Sequence, residues 1–222
     1  MKKCCIIYWG LIRGFKYDWV YNTHKEKIYD YLENNNIDFD IYIVTNDVDY
    51  DDTQINKLKN VKKISILNLC DIQKTDIYVN MLKNFNFDNH FQNESKIYLS
   101  CCYYNRKYIM DYIPNSYDFY ISLDIQHYIE KFDFLKDLNN NVCIMSNYHK
   151  QMGVNPRVFI GNYKYTKLYN VIADYALLGI YSHNPESLLK NYLEINNVPI
   201  IESNEILIHR VRKCGTILKD KN

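Results

Sequence analysis

The stretch that most constrains the fold is the short run from Cys4 to Trp9, which is apolar throughout. A strand with one face in water alternates apolar and polar residues, whereas a continuous apolar run is typical of a strand covered on both faces. Such strands occur mainly in α/β proteins, where helices connect parallel strands and pack on both sides of the sheet. The run therefore predicts an α/β fold with a mixed, mostly parallel sheet covered by helices on both faces.

Strand and helix patterns continue to alternate along the rest of the chain. The predicted strands cover residues 4–9, 40–45, 61–67, 117–124, 142–146, 158–162, 198–202 and 205–211. The predicted helices cover residues 20–32, 96–112, 165–178 and 184–195, with a loop or short helices at 68–95, a connector at 132–138 and a polar tail after 213. With 222 residues and no linker-like segment, we expect a single domain over residues 1–222.

Bulk properties exclude several classes of partner. The formal net charge is +1, so no basic surface points to a nucleic acid. No stretch approaches the roughly 20 apolar residues of a membrane span, and the apolar run at residues 1–9 is too short for a signal sequence. The seven cysteines include no C-x-x-C pair, which indicates free thiols in a reducing compartment. We therefore expect a cytoplasmic protein without a membrane span or a nucleic-acid partner.

Polar residues follow several of the predicted strands. Asp124 ends the strand at 117–124, Thr45 ends the strand at 40–45, and Gly10 to Phe15 follow the first strand with Arg13 among them. In open α/β sheets, ligands bind in the crevice beyond the carboxyl ends of the strands. These residues are therefore candidates for one site, although a turn aspartate that merely closes a core strand remains the alternative for Asp124.

A nucleotide diphosphate is the ligand that best joins these residues. Arg13 could bind the phosphates directly, and Asp124 could bind them through a divalent cation. Arg106, expected on the polar side of the helix at 96–112, is a further nucleotide-binding candidate. No Gly-x-Ser-x-Gly nucleophile motif and no histidine pair with metal-ligand spacing occurs in the sequence.

In the order of its motifs, the chain resembles small GT-A-type glycosyltransferase-like proteins of large DNA viruses and some bacteria. The motifs are Gly10-Leu11-Ile12-Arg13 with the strand at 40–45, the acidic motif ending at Asp124, the segment 155–162, and Asn184-Pro185-Glu186. The resemblance implies a single Rossmann-like GT-A domain that transfers a sugar from a nucleotide-sugar donor, with a UDP-sugar favoured, to a hydroxyl of a glycan or protein acceptor. It also implies the host cytoplasm as the location of a viral protein.

The resemblance also implies roles for individual residues. Gly10, Leu11, Arg13 and Thr45 would line the nucleotide pocket, and Asp124 would hold a divalent metal, Mn or Mg, on the diphosphate. This chain has Ser122-Leu123-Asp124 where family members usually have Arg-x-Asp or Asp-x-Asp, and it has Pro156 where similar proteins tend to carry Asp. These departures define the alternative, a catalytically degenerate GT-A-fold protein that acts as a nucleotide-binding or structural module.

An inverting transferase also needs a base for the acceptor hydroxyl. Glu186 is the first candidate, with Asp47 and His149 behind it. The alternative for Glu186 is purely structural, because an acidic residue in the first turn of a helix is already stabilised by the helix dipole.

Overall fold

The computed structural model describes residues 1–48, 50–84, 93–148, 153–176 and 185–218. The strands are β1 (Lys2–Trp9), β2 (Ile37–Asn46), β3 (Val61–Leu67), β4 (Phe119–Asp124), β5 (His127–Phe132), β6 (Cys143–Ser146), β7 (Val158–Gly161), β8 (Ile200–Ser203), β9 (Ile206–Val211) and β10 (Ile217–Leu218). The α-helices are α1 (Asp18–His24), α2 (Asp30–Asn34), α3 (Asp52–Ile55), α4 (Leu69–Ile72), α5 (Asp76–Asn84), α6 (Asn93–Met110), α7 (Tyr163–Asn170), α8 (Ile172–Ala176) and α9 (Pro185–Ile195). A 3-10 helix (Ile12–Lys16) follows β1, and a π-helix (Lys25–Tyr29) joins α1 to α2.

Seven strands form one central sheet in the order β3-β2-β1-β4-β7-β6-β8. The neighbours β3, β2, β1 and β4 pair in parallel, as do β6 and β8, whereas β7 pairs antiparallel with both β4 and β6. Six of these strands therefore run in one direction and β7 runs against them. The predicted mixed, mostly parallel α/β sheet is confirmed.

Helices cover both faces of this sheet because its central strands are apolar on both sides. Val20, Ile28 and Leu32, from the helices that follow β1, pack on one face of β1 and β2. Cys102 and Ile109 of α6 pack on the other face of the same strands. The first strand is therefore buried on both faces, as its apolar run predicts.

A second, smaller sheet lies beside the first, in the order β10-β9-β5. Only two residues separate β4 from β5, so the chain leaves the central sheet at Asp124 and enters the small sheet at His127. The sequence pattern misses β5 and β10, and it assigns Phe132 to a connector although this residue ends β5. This second sheet matters for the site because it brings β9 close to the end of β4.

Most other predicted elements agree with the described residues. β3 has the predicted bounds, and the segment after it forms the short helices α4 and α5 within its described part. The predicted helix at 165–178 is wrong in its bounds: it begins earlier and is interrupted at Val171, which separates α7 from α8, and residues 177 and 178 lie outside the described ranges. Cys70 and Cys214 are exposed free thiols, whereas the other five cysteines are buried. Within the described ranges, no helix is both long and apolar enough to cross a membrane.

Candidate functional site

The carboxyl ends of β1 and β4 meet at Gly10 and Asp124. Trp9 pairs with Asp124 across the two parallel strands, and the next residue, Gly10, has a φ of +96°. A Cβ atom added to Gly10 would lie 2.6 Å from Asp124 Oδ1. Only a glycine allows this backbone conformation without strain and this close approach. The structure therefore brings together two residues that the sequence assigned to one site.

The Asp124 carboxylate is buried and hydrogen-bonded on both oxygens. Its exposure is 4%, Oδ1 accepts the Gln126 backbone N–H at 3.1 Å, and Oδ2 accepts from Gln126 Nε2 at 3.0 Å and Tyr98 OH at 3.1 Å. Gln126 Nε2 also contacts the Tyr98 hydroxyl oxygen. Burial raises the pKa of Asp124 above its usual value, and the hydrogen bonds from Gln126 and Tyr98 oppose that rise.

These surroundings do not fit a metal-binding role for Asp124. A Mg ion can be held by one carboxylate and substrate phosphates, but the carboxylate must offer the ion an accessible lone pair. Both Asp124 oxygens accept hydrogen bonds, and the Gly10 backbone packs on Oδ1. Ser122 adds no ligand, because it is buried within the sheet and donates to Asn170 Oδ1 at 3.0 Å. Among the described residues, no group of three or more His, Cys, Asp or Glu side chains could hold a metal ion.

The loop after β1 is fixed to the end of β2 by a hydrogen bond to Thr45. The Ile12 N–H donates to the buried Thr45 hydroxyl at 3.3 Å. In the 3-10 helix that follows, Gly14 packs on the Gln126 backbone, where an added Cβ would lie 2.8 Å from Cα. Arg13 is half-buried between these two anchored positions. The loop thus lies against both strand ends, and its role in binding a nucleotide stays a prediction.

An apolar pocket of about 180 Å³ opens beside this loop. Its lining comes from the ends of β1 and β2 and from α4 and α6, namely Leu11, Asn46, Val48, Leu69, Ile97, Tyr98 and Cys101. Tyr98 both lines the pocket and donates to Asp124, so the pocket and the carboxylate share one wall. Typical small-molecule pockets are about 300–1,000 Å³, and this pocket is therefore large enough only for part of a ligand such as a planar base.

His127 is a residue of this crevice that the sequence argument missed. Its Nδ1 lies 3.2 Å from the backbone carbonyl of Asp124 and 3.6 Å from Asp124 Oδ2. Since a carbonyl oxygen only accepts, the hydrogen lies on Nδ1 and Nε2 is the acceptor of a neutral ring. Burial, and then the positive charges of Arg157 and Arg210, lower the pKa of His127 well below its usual value. Within the described part of the chain, no hydrogen bond reaches the buried Nε2 atom.

A buried hydrogen-bond chain supports the backbone of His127. His24 Nε2 lies 2.7 Å from the His127 carbonyl, His24 Nδ1 lies 2.9 Å from Tyr8 OH, and Tyr8 OH lies 2.9 Å from Tyr29 OH. The carbonyl fixes the hydrogen on Nε2, so the Tyr8 hydroxyl donates to Nδ1 and accepts from Tyr29. Burial lowers the pKa of His24 to about 4, which keeps the ring neutral. The network therefore holds the end of α1 and the start of the π-helix against the turn that carries His127.

The expected position of Arg106 on a polar helix face is wrong. Arg106 is 1% exposed, and its guanidinium lies 3.7 Å from the Tyr169 ring centroid and 5.1 Å from that of Trp9. It also donates to the Tyr169 carbonyl. Aromatic faces stabilise a guanidinium in a dry environment, which lets a cation replace an apolar residue on the buried side of α6. Because Trp9 is the last residue of β1, Arg106 still lies behind the crevice.

The three candidate bases, Asp47, Glu186 and His149, differ in the contacts that the structure shows for them. Asp47 accepts from Asn68 Nδ2 at 2.6 Å and from the Leu69 N–H at 3.0 Å, so its carboxylate anchors the start of α4. Glu186 lies half-buried in the first turn of α9, and its carbonyl accepts the Val154 N–H at 3.3 Å. His149 lies outside the described residues. A role as catalytic base stays a prediction for all three.

Comparisons with known proteins identify no family. No protein-family model and no curated protein sequence matches the chain. Among solved structures, the chain is similar to the apo form of mouse xyloside xylosyltransferase 1, with 8% sequence identity and a TM-score of 0.48. That likeness covers 91% of this chain and 85% of the mouse chain.

Proposed function

We propose that this chain is a glycosyltransferase of the GT-A type, one domain over residues 1–222, that uses a nucleotide-sugar donor with a UDP-sugar favoured. The observation that carries the proposal is the apolar pocket at the ends of β1 and β2, which shares Tyr98 with the buried polar cluster around Asp124 at the end of β4. An apolar slot joined to a polar cluster is the arrangement that a base followed by a diphosphate requires.

The proposed roles follow the direction of the crevice. The base would lie in the pocket against Leu11 and Tyr98, and the backbone of the loop anchored by Thr45 would face the ribose. The diphosphate would then lie beyond the ends of β1 and β4, where Gly10 and Asp124 are packed together, with the half-buried Arg13 at its side. Positive groups fixed beside the departing diphosphate stabilise the negative charge that develops when the sugar–phosphate bond breaks.

The divalent ion implied by the resemblance is not assigned to Asp124 in this proposal. The Asp124 oxygens serve instead to hold Tyr98 and Gln126, which line the two parts of the crevice. Asp124 is therefore proposed as a positioning residue that fixes the shared wall. Glu186 remains the first proposed base, to be tested by its Gln variant in an acceptor assay.

A binding panel tests the proposal directly. Thermal unfolding of the full chain is followed with UDP, GDP and dTDP and with their sugar derivatives, each with EDTA and with Mn. A ligand present at a hundred times its dissociation constant should add about 2.7 kcal/mol to the stability of the folded state. If no nucleoside diphosphate or nucleotide sugar raises the melting temperature at millimolar ligand, the proposed function is wrong.

A second candidate function is that of a binding module, which binds a nucleotide at the same site and associates with a partner but does not catalyse sugar transfer. The burial of Asp124, with hydrogen bonds on both oxygens, favours it, because this carboxylate does not offer a metal the site that the resemblance implies. Release of nucleoside diphosphate from the nucleotide sugar distinguishes the two. A transferase shows turnover with a suitable acceptor or slow hydrolysis with water, whereas the binding module shows a melting shift without turnover.

A further inference from the structure

We infer that the crevice binds the diphosphate of its nucleotide through two guanidinium groups, those of Arg157 and Arg210, without a divalent ion. The inference rests on the proposed function and specifies how the same site would recognise its ligand. The ligand class is a nucleoside diphosphate, alone or linked to a sugar.

The strand register places Arg157 next to Asp124. Leu123 of β4 pairs with Val158 of β7, so the next pair outward is Asp124 with Arg157, and the Asp124 N–H donates to the Arg157 carbonyl at 3.2 Å. Residues directly opposite each other in an antiparallel pair project their side chains to the same face. The half-buried side chain of Arg157 therefore leaves the sheet on the side of the Asp124 carboxylate.

The register of the small sheet places Arg210 at the open side of the same cluster. Arg210 of β9 pairs with His127 of β5, so the two side chains share a face. His127 is buried 3.6 Å from Asp124 Oδ2, whereas Arg210 is exposed. Among the described side chains, no ion pair within 4.0 Å holds the Arg210 guanidinium.

Two guanidinium groups belong to residues paired with this cluster. The Asp124 N–H donates to the Arg157 carbonyl, Arg210 pairs with His127, and the Asp124 carboxylate already accepts three hydrogen bonds. Both Arg157 and Arg210 lie close enough to lower the pKa of His127, and Arg210 opposes the burial-driven rise in the pKa of Asp124. A guanidinium binds two phosphate oxygens at once and keeps its charge at any physiological pH. Two of them can neutralise a diphosphate as a divalent ion would.

Two buried polar atoms indicate that the cluster lacks a polar ligand. In the described part of the chain, neither Gln126 Oε1 nor His127 Nε2 has a hydrogen-bond partner, and each residue is 2% exposed. Buried polar atoms are nearly always paired, since an unpaired one loses its hydration without compensation. Both atoms are acceptors, and a nucleotide sugar carries hydroxyl groups that could donate to them.

The experiment measures UDP binding to the full chain by isothermal titration calorimetry, in EDTA and in saturating Mn. The variants are R210Q, R157Q and the matched control R212Q, which removes the same charge from an exposed arginine two residues beyond Arg210. Uridine serves as a ligand without phosphates. Because Arg210 is exposed, R210Q should fold normally even if R157Q does not.

The inference predicts the same dissociation constant for UDP in EDTA and in Mn. R210Q should weaken UDP binding about ten- to hundred-fold, the loss expected for a charged hydrogen-bond pair, and should reduce its salt dependence. Uridine binding to R210Q and UDP binding to R212Q should match the wild type. Binding of UDP that requires Mn, or an R210Q variant that behaves as R212Q does, overturns this inference and leaves the proposed function in place. If UDP, GDP and ADP all fail to bind the wild type, the proposed function falls and this inference with it.

Discussion

Replacement of Gly10 by Ala tests whether the ends of β1 and β4 are packed as tightly as the structure indicates. The new Cβ would lie 2.6 Å from Asp124 Oδ1 and 3.1 Å from its Cγ, on a backbone with φ of +96°. A left-handed conformation costs a residue with a Cβ about 1–2 kcal/mol, and overpacking a filled site costs about 1–3 kcal/mol. The reduced entropy of the unfolded chain offsets about 0.4–1 kcal/mol of this. We therefore expect G10A to lower the free energy of unfolding by about 2–4 kcal/mol, taken from the same three terms.

Two further variants separate the backbone term from the contact term. Gly215 also has a positive φ, +84°, but its added Cβ would meet the movable ring of Tyr17 at 3.0 Å. G215A should therefore cost only about 1 kcal/mol, most of it backbone strain. In a D124A background the contact with Oδ1 is gone, and the cost of G10A should fall by the overpacking term of about 1–3 kcal/mol.

Urea unfolding followed by circular dichroism measures all of these variants, and the double-mutant cycle gives the coupling between positions 10 and 124. The reasoning is refuted if G10A costs no more than G215A and if its cost is unchanged in the D124A background. In that case Gly10 would be required only for its backbone conformation, and the carboxylate would not be held by the end of β1.

Three other predictions concern buried groups near the crevice. Ser122→Asp should not create a second metal ligand, because it places a carboxylate beside Asn170 Oδ1 inside the sheet. We expect it to lower the free energy of unfolding in urea by about 3 kcal/mol or more, with no gain in Mn binding. The control S122A should lower the free energy of unfolding by about 1 kcal/mol. Stability should fall as the pH is lowered from 6.5 to 4, because the pKa of His24 is about 4 in the folded chain and 6.5 when unfolded. In this pH range the folded state binds fewer protons than the unfolded state, so the difference between the two pKa values removes roughly 3 kcal/mol of folding stability. If the stability of an H24Q variant falls with pH as steeply as that of the wild type, His24 is not the cause. Arg106→Met should fold, and it should retain UDP binding if Arg106 only packs against Tyr169. Loss of UDP binding in a folded R106M variant would instead support the predicted nucleotide-binding role of Arg106. R106K removes the stacked guanidinium and should lower the stability by about 2 kcal/mol.

Local sequence patterns were sufficient to predict the central strands. A short, continuous apolar run is typical of a strand covered on both faces, so β1 was recognisable without any tertiary information. The same holds for the position of Asp124, because a polar residue after a buried strand marks the edge of the sheet. The sequence predicted that Gly10, Thr45 and Asp124 lie at the ends of strands in a mostly parallel sheet, and the order β2-β1-β4 brings those three strand ends together.

Features that depend on partners distant in sequence were not predictable in this way. Arg106 interrupts an apolar helix face, and its burial depends on Trp9 and Tyr169, which reach it from other elements. Arg157 and Arg210 approach the crevice through antiparallel registers, which no local period encodes. Gln126 and His127 were visible as polar residues beyond the strand, but only the start of β5 fixes the directions of their side chains.

The reversed direction of β7 has a consequence for how such a crevice can change in evolution. For the six strands that run in one direction, the residues that follow each strand lie at the carboxyl edge of the sheet. Because β7 runs in the opposite direction, the residues that precede β7 lie at that edge. The segment from Gly153 to Arg157 therefore reaches the carboxyl end of β4 before the chain enters β7. Its sequence can change separately from the loops that follow β1, β2 and β4, so the charge at this edge of the sheet can vary independently of those loops.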